Sequence, residues 1–252
     1  MTDLSQVLYI DLLKRSLINL IYDHLDQPIK LLDGRVISTF QARMEGLDWP
    51  SNAHTMIGWR RLTNVQNCVE AVLRDRIPGD LIETGVWRGG ASILMRGILK
   101  AYSITDRTVW LADSFRGLPP PSPDDYPADE GSDLHTYAEL AVSVQQVQAN
   151  FQRYNLLDDQ VRFLEGWFKD TLPTAPIKQL ALLRLDGDLY ESTMQALISL
   201  YPKVSLGGYI IVDDYGAVPA CKQAIHDYID SHQLKADIQL VDWTGAFWQK
   251  VD

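Results

Sequence analysis

From Asp80 onward the chain alternates short apolar runs with amphipathic stretches, and that alternation limits the fold more than any other feature. Residues 80–83 read as a buried strand, a glycine-rich turn follows, and 91–103 has the spacing of a helix. The series continues with a strand over 108–112, a helix over 143–154, and strands over 161–164 and Leu180–Leu185. A helix over 189–201, a strand over 208–212 and a helix over 217–231 complete it. Strand–helix units joined by short turns predict an α/β fold, a mostly parallel sheet with helices on both faces. Two last strands, 238–241 and 246–250, joined by Trp243-Thr244-Gly245, predict an antiparallel hairpin at one edge.

Ahead of this core, Leu4, Val7, Leu8, Leu12, Leu13, Leu17, Leu20 and Ile21 recur at helical spacing, which predicts an amphipathic helix over 4–25. Residues 28–50 are mixed and read as irregular, and 58–76 reads as a helix stopped by Ile77-Pro78-Gly79. The chain thus divides into an N-terminal helical and irregular segment, 1–54, and a main domain, 55–252. Residues 117–137, GLPPPSPDDYPADEGSDLHTY, are rich in Pro and Asp and poor in core residues. Loops this long inside compact domains are usually functional or disordered. This one leaves the carboxyl end of a strand, where open α/β sheets bind ligands, and it reads as a lid.

Charge narrows the class of partner. The formal net charge is -10, and Lys and Arg are scattered, with Arg60-Arg61 the densest pair. Binding to nucleic acid requires clustered cations, so no nucleic-acid partner is expected. Asp11, Lys14 and Arg15 interrupt the apolar N-terminus, so neither a signal peptide nor a membrane span is expected, and the chain reads as cytoplasmic. Cys68 and Cys221 are far apart in sequence and read as free thiols packed in helices.

Two groups of residues carry chemistry. Glu83-Thr84-Gly85-Val86-Trp87-Arg88-Gly89-Gly90-Ala91-Ser92 follows a strand and opens a helix. Glycines there permit a sharp turn and close approach to a ligand, and the helix N-terminus offers N–H groups to a carboxylate. The spacing differs from the dinucleotide G-x-G-x-x-G. Asp113 closes the next strand, the position from which an acid accepts hydrogen bonds from ribose hydroxyls. Glu83 and Asp113 at successive strand ends fit a ribonucleoside carrying an amino acid.

Asp186 closes a second pair of strands together with Asp213-Asp214. Three carboxylates at one sheet edge repel one another unless a cation neutralises them. Oxygen-only ligands favour a hard ion, Mg²⁺ first, with Mn²⁺ or Ca²⁺ as alternatives. Asp188 precedes a helix and has Glu191 three residues on, so it reads as a capping-box acid. Tyr190 and Tyr215 read as packing residues.

In order along the chain, Thr55-Met56-Ile57-Gly58, Glu83 to Gly90, Asp113-Ser114-Phe115, Gly166-Trp167-Phe168-Lys169-Asp170-Thr171-Leu172-Pro173, Asp186 to Thr193, and Gly207-Gly208 through Asp213-Asp214 resemble the macrocin O-methyltransferase family. The family's enzymes methylate sugar hydroxyls of macrolide and aminocoumarin natural products. The resemblance runs from about Thr55 to the C-terminus and implies a Rossmann-like class I methyltransferase fold using S-adenosylmethionine. It implies that Thr55 and Met56 contact the cofactor, and that Glu83, Thr84, Gly85, Val86 and Trp87, with Ser92 opening the helix, surround its methionine end. Asp113 and Ser114 would hold the ribose, and Ser143, Gly166 and Trp167 would lie near the adenine. Asp186, Asp213 and Asp214 would hold Mg²⁺, with Asp186 doubling as the general base toward a small-molecule hydroxyl. The N-terminal segment and the lid would shape the acceptor pocket, and a homo-oligomer, dimer or higher, is expected.

Three other readings stay open at this stage. The first is metal-dependent methylation of a catechol or phenol, separable by an acceptor assay. The second is a hydroxylase-like or otherwise divergent relative on the same scaffold. The third is a non-catalytic protein that binds the cofactor and uses its N-terminal helix for assembly, which predicts no methyl transfer and no metal dependence.

Overall fold

The computed structural model describes residues 3–22, 25–31 and 34–252. The elements, in chain order, are α1 (Leu4–Leu17), β1 (Pro28–Lys30), β2 (Val36–Ser38), α2 (Thr39–Glu45) and α3 (Gly58–Arg74). There follow β3 (Asp80–Thr84), α4 (Gly90–Ala101), β4 (Val109–Asp113), α5 (Val144–Arg153), β5 (Val161–Glu165) and α6 (Phe168–Thr171). Last come β6 (Leu180–Leu185), α7 (Tyr190–Leu200), β7 (Val204–Val212), α8 (Pro219–His232), β8 (Gln239–Leu240) and β9 (Ala246–Gln249).

Seven strands form the main sheet in the order β5-β4-β3-β6-β7-β9-β8. The first five are mutually parallel, and β9 joins β7 and β8 in antiparallel fashion. The chain winds outward from β3 to β5, then returns to β6 and winds the other way. The strand order therefore reverses between β3 and β6, where a doubly wound sheet opens a crevice at its carboxyl ends.

Period-two alternation along each strand builds the two cores. Leu81, Leu111, Leu182 and Ile211 point to one face, where they pack with Leu62 and Val65 of α3, Leu94 of α4 and Phe151 of α5. Ile82, Ala112, Leu183 and Val212 point to the other, against Leu197 of α7 and Ile225 of α8. Ile10, Leu13 and Leu17 of α1 join the first core. Cys68 and Cys221 are buried free thiols in α3 and α8.

Several elements differ from the sequence reading. The expected helix over 4–25 ends at Leu17, and positions 23 and 24 lie outside the described residues. Asn19 adopts the left-handed conformation at φ +54°, Leu20 N–H donates to Arg15 O and Asn19 N–H to Ser16 O, which is a helix-ending motif. Residues 28–50 are not irregular. They contain the β1–β2 hairpin and α2, which is capped by Ser38 at one end and by left-handed Gly46 at the other. Strands of three residues are too short to register as alternation. The segment 117–137 is likewise not featureless: single turns occur at Pro127–Asp129 and Leu134–Thr136, with a third at Ala138–Leu140 just beyond. Among the described residues, no helix is long and apolar enough to cross a membrane.

Candidate active site

The carboxyl ends of β3, β4, β6 and β7 line one side of a cleft of about 960 Å³. Its rim includes Leu31, Leu47 and Trp49 from the N-terminal segment and Leu118, Pro119 and Leu134 from the segment expected to form a lid.

One half of the cleft is built around the turn after β3. Gly85 has φ +86°, and a Cβ there would collide with the carbonyl oxygen of Asp186. Only glycine fits the left-handed turn and the close approach together. Ser92 donates its N–H at 3.0 Å and its hydroxyl at 2.5 Å to Glu83 Oε2. Arg184 Nη1 donates to Glu83 Oε1 at 2.7 Å. The carboxylate held at the α4 N-terminus is therefore the chain's own, which corrects the expectation of free amides there. Burial pushes the Glu83 carboxyl up to about 7, opposed by Arg184 and Ser92.

Asp113 is held in a similar way. Val86 N–H donates to Asp113 Oδ2 at 2.6 Å and Phe115 N–H to Oδ1 at 2.7 Å. Burial raises this carboxyl, and the backbone donors oppose it. The Ser114 hydroxyl also reaches Asp113 Oδ1, at 3.5 Å.

Thr55, Met56, Glu83, Gly85, Val86, Trp87, Asp113, Ser114, Gly166 and Trp167 all line the cleft. Thr84, Ser92 and Ser143 are not among its lining residues. Thr84 points to the face opposite Glu83 and donates to Arg184 O at 3.2 Å. Ser92 is fully buried behind Glu83. Ser143 caps α5, accepting from Gln146 N–H at 3.3 Å.

The other half of the cleft is acidic. Carboxylate oxygens of Asp186, Asp213 and Asp214 lie within 4.8 Å of one another. Arg184, fully buried on β6, donates to Asp186 Oδ2 at 2.6 Å and to Asp213 Oδ1 at 2.5 Å. Arg61 of α3 pairs with the other Asp213 oxygen and with Asp242 at 3.2 Å. Thr244 donates its hydroxyl to Asp213 O at 2.8 Å, tying the β8–β9 turn to the site.

Asp188 belongs to this half, contrary to its expected role as a cap. It has φ +58°, lines the cleft, and donates its N–H to Asp214 Oδ2 at 3.1 Å. The α7 amides bond to Asp129 instead. Burial raises Asp188 to about 7 and Asp186 to about 6, with neighbouring carboxylates adding to the effect. Burial and the other three aspartates hold Asp214 well above the usual carboxylate range.

Arg184, Arg61, Asp188 and Asp242 escape a reading of the sequence. Arg184 alone leaves a signal, as a charge inside the apolar strand Leu180–Leu185. A buried arginine requires acidic partners, and register places it beside Glu83.

A doubly wound parallel sheet with an antiparallel edge, a glycine turn between two acidic strand ends and a carboxylate cluster beside it define a Rossmann-like class I methyltransferase. The chain belongs to the macrocin O-methyltransferase family, described as Macrocin-O-methyltransferase (TylF), which it matches over residues 6–250. It is 53% identical to the mycinamicin III 3''-O-methyltransferase of Micromonospora griseorubida, over 96% of each chain. It is 54% identical to the 8-demethyl-8-(2,3-dimethoxy-alpha-L-rhamnosyl)-tetracenomycin-C 4'-O-methyltransferase of Streptomyces olivaceus, over 99% of this chain and 95% of that one. The solved O-methyltransferase NovP superposes with a TM-score of 0.90 at 51% identity, covering 98% of this chain and 100% of that one. The protein is an O-methyltransferase, and its family implies S-adenosylmethionine as methyl donor.

Proposed function

We propose that the enzyme methylates a sugar hydroxyl of a glycosylated natural product, using S-adenosylmethionine and a divalent cation, Mg²⁺ first. The observation that carries the metal is an imbalance of charge. Glu83, Asp186, Asp188, Asp213, Asp214 and Asp242 crowd one region whose guanidiniums are Arg184 and Arg61. Buried carboxylates in that excess fit a hard cation held by Asp186, Asp213 and Asp214. The sugar is supported by the relatives, which act on mycinamicin III and on a rhamnosyl-tetracenomycin.

Bound there, the ion supplies Lewis acidity that lowers the pKa of an acceptor hydroxyl. The chain's residues supply position and proton transfer. Asp113 and the Gly85 turn would hold and orient the donor toward the acceptor hydroxyl, and orientation of this kind can carry much of the acceleration. The N-terminal and 117–137 segments exclude water above the cleft. Asp186 is the base expected from the sequence, yet its Oδ2 already accepts from Arg184 and it is a candidate ligand. Among the described residues, no side chain donates a hydrogen bond to the Asp188 carboxylate, which favours Asp188 as proton acceptor with Asp186 kept as ligand.

The test is a methyl-transfer assay on glycosides with vicinal hydroxyls and on catechols, before and after chelation. Glycosides should be methylated, EDTA should abolish transfer and Mg²⁺ should restore it. A preference for catechols would move the acceptor to phenols, and full activity after chelation would remove the metal.

A further inference from the structure

Helix α7 begins without a cap of its own. Its N-cap residue is Leu189, whose side chain accepts no hydrogen bond. The N–H groups of Tyr190 and Glu191 donate to Asp129 instead, at 2.7 and 3.0 Å, one to each carboxylate oxygen. Asp129 closes the single turn Pro127–Asp129 in the middle of the 117–137 segment and is only 1% exposed. Nearby, the Tyr126 ring meets that of Tyr190 at 6.1 Å, and the Tyr190 hydroxyl donates to Asp227 of α8 at 3.0 Å. One buried carboxylate thus fixes both the segment over the cleft and the first turn of α7.

The first turn of α7 is also the far end of the loop that carries Asp186 and Asp188. The near end is held by Asp186 N–H donating to Thr84 O at 2.8 Å. Between these ends Asp188 sits in the left-handed region at φ +58°. Its sequence, Asp188-Leu189-Tyr190-Glu191, has capping-box spacing, so the same carboxylate has a competing use one helical turn away. Uncapped amides at a helix start favour the nearest acceptor. With Asp129 on those amides, Asp188 has no call to leave the cleft.

We propose that Asp129 is a positioning residue, which caps α7 from the overlying segment and thereby holds the Asp188 carboxylate in the cleft. The covering of the cleft and the placement of its acid are then one event. The kinetic part of the inference rests on the methyl-transfer reading above; the structural part does not.

The experiment uses full-length Asp129→Ala and Asp129→Asn in two arms. In the first, without ligands, hydrogen exchange is followed in peptides covering 117–137 and 186–192. Asp129→Ala should speed exchange in both by about tenfold, the scale of one lost helix cap. Asp129→Asn keeps an acceptor oxygen and should fall between alanine and wild type. Faster exchange confined to 117–137, or unchanged in both, overturns the coupling. In the second arm, kcat should fall about tenfold in Asp129→Ala while KM for the methyl donor stays within about twofold, with Asn again intermediate. A loss of thermal stability with kcat unchanged would make Asp129 a structural cap only and overturn the proposal. If the alanine variant does not fold, the asparagine variant decides both arms by the same criteria. A wild-type enzyme inactive on every acceptor would sink the proposed function and leave the exchange arm to judge Asp129.

Discussion

The two halves of the cleft contain similar carboxylates in opposite states. On the side proposed for the cofactor Asp113 accepts two backbone N–H groups and Glu83 is held by Ser92 and Arg184. These acids are parts of the wall: their hydrogen bonds shape the turn that Gly85 makes. On the other side Asp186, Asp188, Asp213 and Asp214 crowd together, and two guanidiniums do not offset them. A carboxylate with its donors in place shapes a site, whereas an excess of them stores a demand for a cation or a proton. Gly85 is the joint, because its turn touches the Asp186 backbone and holds the halves together.

If that contrast is right, substitution should damage the two halves differently. The largest effect is expected at the acid that is both free of side-chain donors and outside the proposed metal triad: Asp188→Asn should lower kcat by about 10²–10⁴-fold, the usual range for a general base, with S-adenosylhomocysteine affinity unchanged by calorimetry. If instead Asp186→Asn alone gives a loss that excess Mg²⁺ cannot rescue, the base returns to Asp186. Next in size, Asp213→Asn and Asp214→Asn should raise the Mg²⁺ needed for half-maximal rate by at least about tenfold, with activity partly recovered at high metal. An unchanged requirement in both would break the acidic half as a metal site.

On the satisfied half the loss should appear in binding. Asp113→Ala should weaken S-adenosylhomocysteine binding by roughly 1–3 kcal/mol, the scale of a lost charge-assisted hydrogen bond. Calorimetry giving the wild-type affinity in a folded variant would remove Asp113 from the ribose contact.

The smallest effect concerns pH and the backing of the glycine turn. His54 O accepts from Gly90 N–H at 2.9 Å, and its ring meets the Tyr154 hydroxyl at 2.7 Å. Burial, aided by Arg153 and Arg88, lowers the His54 pKa from 6.5 to about 4. The folded protein keeps this ring neutral while the unfolded chain takes up a proton, so the unfolded state binds more protons across that interval. The contribution is present above pH 6.5 and is lost as pH falls from 6.5 toward 4. His54→Gln should therefore show a shallower fall in denaturation midpoint over that range than wild type. Parallel curves would remove His54 as a source of the acid sensitivity.

Much of the fold and half of the site were legible because they rest on short-range regularities. Alternation over Leu180–Leu185 and helical spacing in α3 are properties of neighbouring residues. Acids that end parallel strands reach one rim whatever the loops do, so Asp113, Asp186, Asp213 and Asp214 are legible from the sequence as neighbours on that rim. Asp188 was misread for the opposite reason. Its neighbours spell a capping box, and the competitor that takes the cap, Asp129, stands far upstream in a segment with no periodicity. Ser92 backs Glu83 and Ser143 caps α5, and in sequence a serine near a ligand loop looks the same whether it faces a ligand or holds the scaffold behind it.

By itself the sequence determined the alternation of strands and helices, the parallel sheet it implies, the rim on which ligands bind and the acids that reach it, since each follows from local periodicity and strand polarity. Only the tertiary structure decided which of those acids are neutralised. Charge balance in a buried site depends on Arg184 and Arg61, which packing brings to carboxylates from other parts of the chain, and packing likewise brings Asp129 to the first amides of α7. Hydrogen bonds between such distant residues leave no trace in local pattern, yet at these short distances and low exposure they set the state of the carboxylates they reach.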